Sequence, residues 1–100
     1  MTPRGKILEE AKRLTEGDRN KTHGDPKPNM ECFAQLLDAY LIGRDEYEIG
    51  SGLLDSIDGA IIMCLFKIAR IAGNRKHTDS YIDLAAYAAI AGECAGVMDE

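Results

Sequence analysis

Leu53-Leu54-Asp55-Ser56-Ile57-Asp58-Gly59-Ala60-Ile61-Ile62-Met63-Cys64-Leu65-Phe66-Lys67-Ile68-Ala69-Arg70-Ile71-Ala72 is apolar almost all round. Twenty residues of that kind are too long for a buried strand, and a helix without a polar face is one surrounded by partners. The stretch therefore predicts the central helix of an all-α domain, ended by Gly73-Asn74.

The rest of the chain arranges itself around this helix. A short link, Asn74 to His77, leads into a fourth helix that starts near Thr78 or Asp79 and runs to about Met98. That helix is rich in alanine and glycine, which permit close helix approach. Upstream, Arg44 to Gly52 is polar and glycine-bearing and reads as a connection. A second helix is expected after Pro28-Asn29, with Phe33, Leu36, Leu37, Tyr40 and Leu41 on one face and Gly43 as its end. Thr2-Pro3 supplies a cap and a proline at the first helical position, and Ile7, Leu8, Ala11 and Leu14 recur with helical spacing before Gly17. The first helix is thus Pro3 to Glu16. No stretch alternates as a strand does. The expectation is one domain over residues 1–100, a four-helix up-down bundle, with self-association completing the burial of so apolar a third helix.

Composition narrows the function. Hydrophobic residues make up 45% and charged residues 29%, as in an ordinary globule, and the formal net charge of −5 argues against binding bulk nucleic acid. No apolar run is long enough to span a bilayer, and Met1 to Gly5 lacks the apolar segment of a signal peptide, so a cytoplasmic protein is expected. Cys32, Cys64 and Cys94 lie singly in three apolar segments with no CxxC pair. They read as reduced core residues, not zinc ligands.

The charges converge. In a hairpin centred near residue 75 or 76, Asp83 lies beside position 68 and Asp79 near position 72. Lys67, Arg70, Asp79 and Asp83 then meet at one end, with His77 and Tyr81 nearby. Asp58 lies about 18 Å further along the axis from Arg70, so Asp55 and Asp58 belong to the other end, level with Glu93. Two readings stand side by side: an ion-pair network that joins the last two helices, or a pocket in which Arg70 and Lys67 receive phosphate oxygens. The triplets His23-Gly24-Asp25 and His77-Thr78-Asp79 are weak metal signals, and hydrogen bonding by His77 with capping by Asp79 is expected instead.

The loop Gly17-Asp18-Arg19-Asn20-Lys21-Thr22-His23-Gly24-Asp25-Pro26 carries more side-chain chemistry than a linker needs. In an up-down bundle it caps the end where the third and fourth helices turn. Arg19, His23 and Asp25 are then expected over Lys67, Arg70, Asp79 and Asp83.

The ordered motifs G-D-R-N-x-x-H-G-D-P, I-x-M-x-L-x-K-I-A-R and H-x-D-S-Y-x-D-x-A-x-Y-A-A, spread over roughly Ile7 to Glu93, resemble a widespread phage and prophage group of short helical proteins of unknown function. That group is faintly similar to the all-α MazG-type nucleoside triphosphate pyrophosphatases, whose paired carboxylates hold magnesium. The resemblance implies a location in the host cell of a phage. It leaves three expectations. One is a non-catalytic protein that captures a small phosphorylated nucleotide, such as a nucleotide second messenger of host immunity. Lys67, Arg70 and Arg19 would take phosphates; Tyr81, Tyr87 or His77 would stack on a base; Asp18, Asp25 or Asp83 would bind ribose or base donors. The second is a magnesium-dependent hydrolase with Asp58, Asp79 and Asp83 as ligands, and the third a protein-interaction module. No residue is assigned a catalytic role, and magnesium is expected only for the hydrolase.

Overall fold

The computed structural model describes residues 2–16, 25–47 and 54–98. Four helices account for them: α1 (Pro3–Glu16), α2 (Pro26–Tyr47), α3 (Ser56–Gly73) and α4 (Thr78–Cys94). No strand occurs among the described residues, so the chain is all-α as its periodicities predict. None of these helices is long and apolar enough to cross a membrane.

α3 is the hub. It packs against α2 on one flank and α4 on the other. Toward α2 it turns Asp58, which meets Tyr40 and Arg44, and Phe66, whose ring stands edge-on to Phe33 at 5.3 Å. Toward α4 it turns Cys64, whose thiol approaches the Leu84 carbonyl at 3.9 Å, and Lys67, paired with Asp83. These pairings make α2 and α3 antiparallel, and α3 and α4 likewise. At ~100° per residue the two sets of contacts point to roughly opposite sides of α3. Among the described residues the buried apolar ones are few and small: Cys64, Ala69 and Ala91. α1 buries no residue at all.

Four helix ends differ from the sequence expectation, each for a local reason. α2 does not stop at Gly43 but continues to Tyr47, so Arg44 to Tyr47 is helix and not connection. The extra turn carries Arg44 onto the Asp58 carboxylate at 2.7 Å, a tertiary pairing that outweighs the cost of one helical glycine. α2 also begins earlier, at Pro26, where proline suits a first helical position and the Asp25 carboxylate accepts from the Lys27 N–H at 3.3 Å. α3 starts at Ser56, with Leu54 outside it, because Asp55 and Asp58 form a reciprocal capping box. α4 ends at Cys94, four residues before Met98. There Gly96 takes φ +75, its N–H donating to the Glu93 carbonyl at 3.0 Å and that of Val97 to the Gly92 carbonyl at 2.9 Å, a Schellman turn. Cys94 is consequently exposed, not a core residue like Cys64, and Cys32 is half-buried.

Gly43 makes a clean stability test. A Cβ built there meets nothing within 4 Å. Gly43→Ala is expected to stabilise the chain by about 0.5–1 kcal/mol through helix propensity, read from urea unfolding midpoints.

The α2–α3 joint is also where pH acts. Asp58 is 1% exposed, and its carboxylate accepts the Asp55 N–H at 2.9 Å, the Tyr40 hydroxyl at 2.7 Å and the Arg44 Nε–H at 2.7 Å. The Asp55 backbone N–H, then Tyr40 and Arg44, hold this carboxyl well below the usual carboxylate range against the opposing effect of burial. Burial first, and then the Asp58 charge, push the Tyr40 hydroxyl up to about 12. The folded Asp58 carboxyl gives up its proton more readily than the unfolded one. Its contribution is therefore complete above about pH 4 and declines as acid protonates it. The folded Tyr40 holds its proton more tightly, so its contribution is complete below about pH 10 and disappears as pH rises toward 12. The stability gap between the wild-type chain and Tyr40→Phe should stay level between those limits and shrink beyond both, as urea titrations at stepped pH would record.

Candidate functional site

The C-terminal half of α3 gathers cations around an aromatic ring. Phe66, Lys67 and Arg70 fall within ~100° of one another on the helical wheel, with Arg70 one turn above Phe66. The Arg70 guanidinium carbon lies 4.6 Å from the Phe66 ring centroid and the Lys67 ammonium 5.8 Å from it. Both are cation–π distances, and the ring is in turn braced by Phe33 of α2. Across the hairpin the Lys67 ammonium meets the Asp83 carboxylate at 2.9 Å. The lysine is largely buried and the aspartate nearly half exposed, so the pair has one sheltered and one wet end.

The turn between α3 and α4 closes this end. His77 precedes α4 as its cap residue, and its Nδ1 shares a 2.7 Å hydrogen bond with the buried Ser80 hydroxyl. Hydrogen bonding by His77 is thus as expected. Capping by Asp79 is not: Asp79 lies one position inside the first turn of α4, exposed, and His77 holds the cap position without a side-chain cap bond. The Tyr81 hydroxyl donates to the Arg75 carbonyl at 2.8 Å, which leaves its ring half exposed beside the turn. Tyr87, one turn beyond Asp83, is half-buried.

α2 begins at the same end. Asp25, Pro28, Asn29 and Cys32 line a cleft of about 390 Å³ with Ala69, Ala72 and Gly73 of α3. Asp25 therefore stands next to the last turns of α3, among Ala69, Ala72 and Gly73. Asp18, Arg19 and His23 lie outside the described residues.

Asp58 belongs elsewhere. Nine residues separate it from Lys67, about 14 Å along the helix, and both its oxygens are engaged by α2 and by the α3 cap. It faces Tyr40 and Arg44 of α2, at the end of the α3–α4 hairpin away from the turn. Among the described residues no three His, Cys, Asp or Glu side chains form a group able to hold a metal ion, so Asp58, Asp79 and Asp83 are not brought together in one copy.

Two clusters on α3, one in the site and one outside it, escape sequence reasoning. Phe66 looked like one more core residue, and only the Arg70 and Lys67 spacing at i+4 and i+1 hinted at its cationic neighbours. The Tyr40, Arg44 and Asp58 cluster has only an indirect sequence signal, the capping-box spacing of Asp55-x-x-Asp58, which says nothing of Tyr40 or Arg44.

Residues 6–95 match a domain of unknown function (DUF6378). The gene 55 protein of Mycobacterium phage D29 is 46% identical over 82 residues, which is 82% of this chain and 48% of that protein. The gene 55 protein of Mycobacterium phage L5 is 36% identical over 84 residues, 84% of this chain and 49% of that protein. The chain thus spans about half the length of the curated relatives it matches. No solved structure matches it.

Proposed function

We infer that this chain, which belongs to the DUF6378 family of unknown function, is a phage-type protein that binds a small phosphorylated nucleotide without turning it over. One observation carries the reading: two cations of adjacent turns are held against one aromatic face, at the end of the fold where α2 begins beside Asp25. Arg70 offers a planar fork for phosphate oxygens and Lys67 a point charge, while Asp83 holds the ammonium in place until phosphate competes for it. The half-exposed ring of Tyr81 suits base stacking, and the exposed carboxylate of Asp79 suits ribose hydroxyls. Nucleotide second messengers of host immunity fall within this ligand class, and capturing one would serve a phage.

A panel of mono-, di- and triphosphate nucleotides and cyclic dinucleotides, each with and without magnesium, tests it. Thermal shift with at least one member, at one ligand per site, and recovery of the intact ligand after denaturation are expected. Turnover that vanishes in Asp83→Ala would establish the hydrolase instead. No shift with any member would leave the charges as a purely structural network and make the chain an interaction module.

A further inference from the structure

α3 is apolar over most of its circumference, and among the described residues α2 and α4 cover it from two roughly opposite sides. Ile68, in the middle of this helix, remains 39% exposed, and Ile82 and Ile90 of α4 stand in water as well. α1 has the opposite problem. Its face of Ile7, Leu8, Ala11 and Leu14 has no groove to enter, with Ile7 68% and Leu8 69% exposed. A 14-residue helix is marginal in water without tertiary contacts, so its presence itself requires a surface to lie on.

The areas point the same way. The chain exposes 7623 Å², whereas a compact 10.9 kDa monomer exposes roughly 5,600 Å². Its radius of gyration is 16.5 Å against about 13 Å for a compact chain of this length. The surplus of roughly 2,000 Å² is well above the ~800 Å² per partner that a stable complex needs, and two copies losing it fall in the range of obligate homodimers.

We propose that the occupant of the open α3–α4 face is a second copy of this chain, each copy laying α1 across the layer of the other. A helix without a groove and a layer without a cover occur here in equal number, so a two-fold exchange satisfies both, with the same patch on each subunit. Charge agrees: α1 has four basic residues beside its three acidic ones, whereas α4 has three acidic residues and no basic one. This arrangement does not rest on the nucleotide reading.

Sedimentation velocity of the full chain at 1–100 μM tests it. The expected mass is twice 10.9 kDa. The exposed pair Ile7→Glu with Leu8→Glu should yield a monomer that loses the helical signal of α1 but keeps a cooperative unfolding transition. Ile68→Glu, on the receiving layer, should raise the dissociation constant at least tenfold. A wild-type mass of one copy at 100 μM overturns the proposal, including the case where α1 is protease-resistant because it folds onto its own body. An assembly of any size that both sets of substitutions leave intact overturns it too.

Discussion

Asp58→Ala is expected to remove the cooperative unfolding transition at neutral pH, the most severe single-residue effect in the chain. The loss has little to do with side-chain volume. Three donors converge on this carboxylate: the Asp55 N–H, the Tyr40 hydroxyl and the Arg44 guanidinium. Removing the acceptor takes the shared carboxylate from all three, two of them on α2 across the joint with α3, and it undoes the capping box that starts α3. The milder deletions scale the effect. Tyr40→Phe removes one hydroxyl that donates to an ionised acceptor and should cost about 2 kcal/mol, roughly 10 °C in midpoint. Arg44→Met retains the buried stem but leaves the carboxylate without its cation, and should cost more than Tyr40→Phe. Differential scanning calorimetry on the three variants gives the order. An Asp58→Ala chain that unfolds cooperatively near the wild-type midpoint would show that the joint is held by apolar packing alone.

The second large effect concerns ligand. Lys67→Ala combined with Arg70→Ala should weaken nucleotide binding at least about 100-fold, since each charge-assisted contact to phosphate is worth roughly 1.5–3 kcal/mol and every 1.4 kcal/mol is tenfold. Arg70→Lys retains the charge but not the fork or the flat stack on Phe66, and should fall between the double variant and wild type. Asp83→Asn has the opposite sign at low salt: it frees the Lys67 ammonium from a 2.9 Å partner and should tighten phosphate binding a few-fold. A purely structural ion pair predicts no such gain.

Local signals in the chain carried more of the fold than tertiary ones. The bounds of α1 followed from Thr2-Pro3 and Gly17, because a cap, an N-terminal proline and a stop glycine are all local. The pairing of Lys67 with Asp83 was legible for a related reason: a four-residue link forces the hairpin register, and 67 and 83 are level in it. The register of α2 on α3 had no such short link behind it, so the meeting of Tyr40 and Arg44 with Asp58 could not be counted off. Gly43 misled as a terminator because helix propensity is a weak preference that one buried ion pair overrides. The ends of α4 and α3 turned on single residues, Gly96 and Asp55, whose roles depend on dihedral angles and hydrogen bonds more than on hydrophobic spacing. Asp18, Arg19 and His23 of the segment between α1 and α2 lie outside the described residues, and only Asp25, its last acidic residue, is placed, beside Ala69 and Gly73.

Isothermal titration of the wild-type chain and the Lys67→Ala, Arg70→Ala variant with the nucleotide that gives the largest thermal shift tests the central claim most directly. One nucleotide bound per site by the wild-type chain, recovered intact, and a loss of at least about 100-fold in a variant that retains its helical spectrum is the expected result. Equal affinity in both proteins, or no heat of binding from any phosphorylated nucleotide, would contradict it.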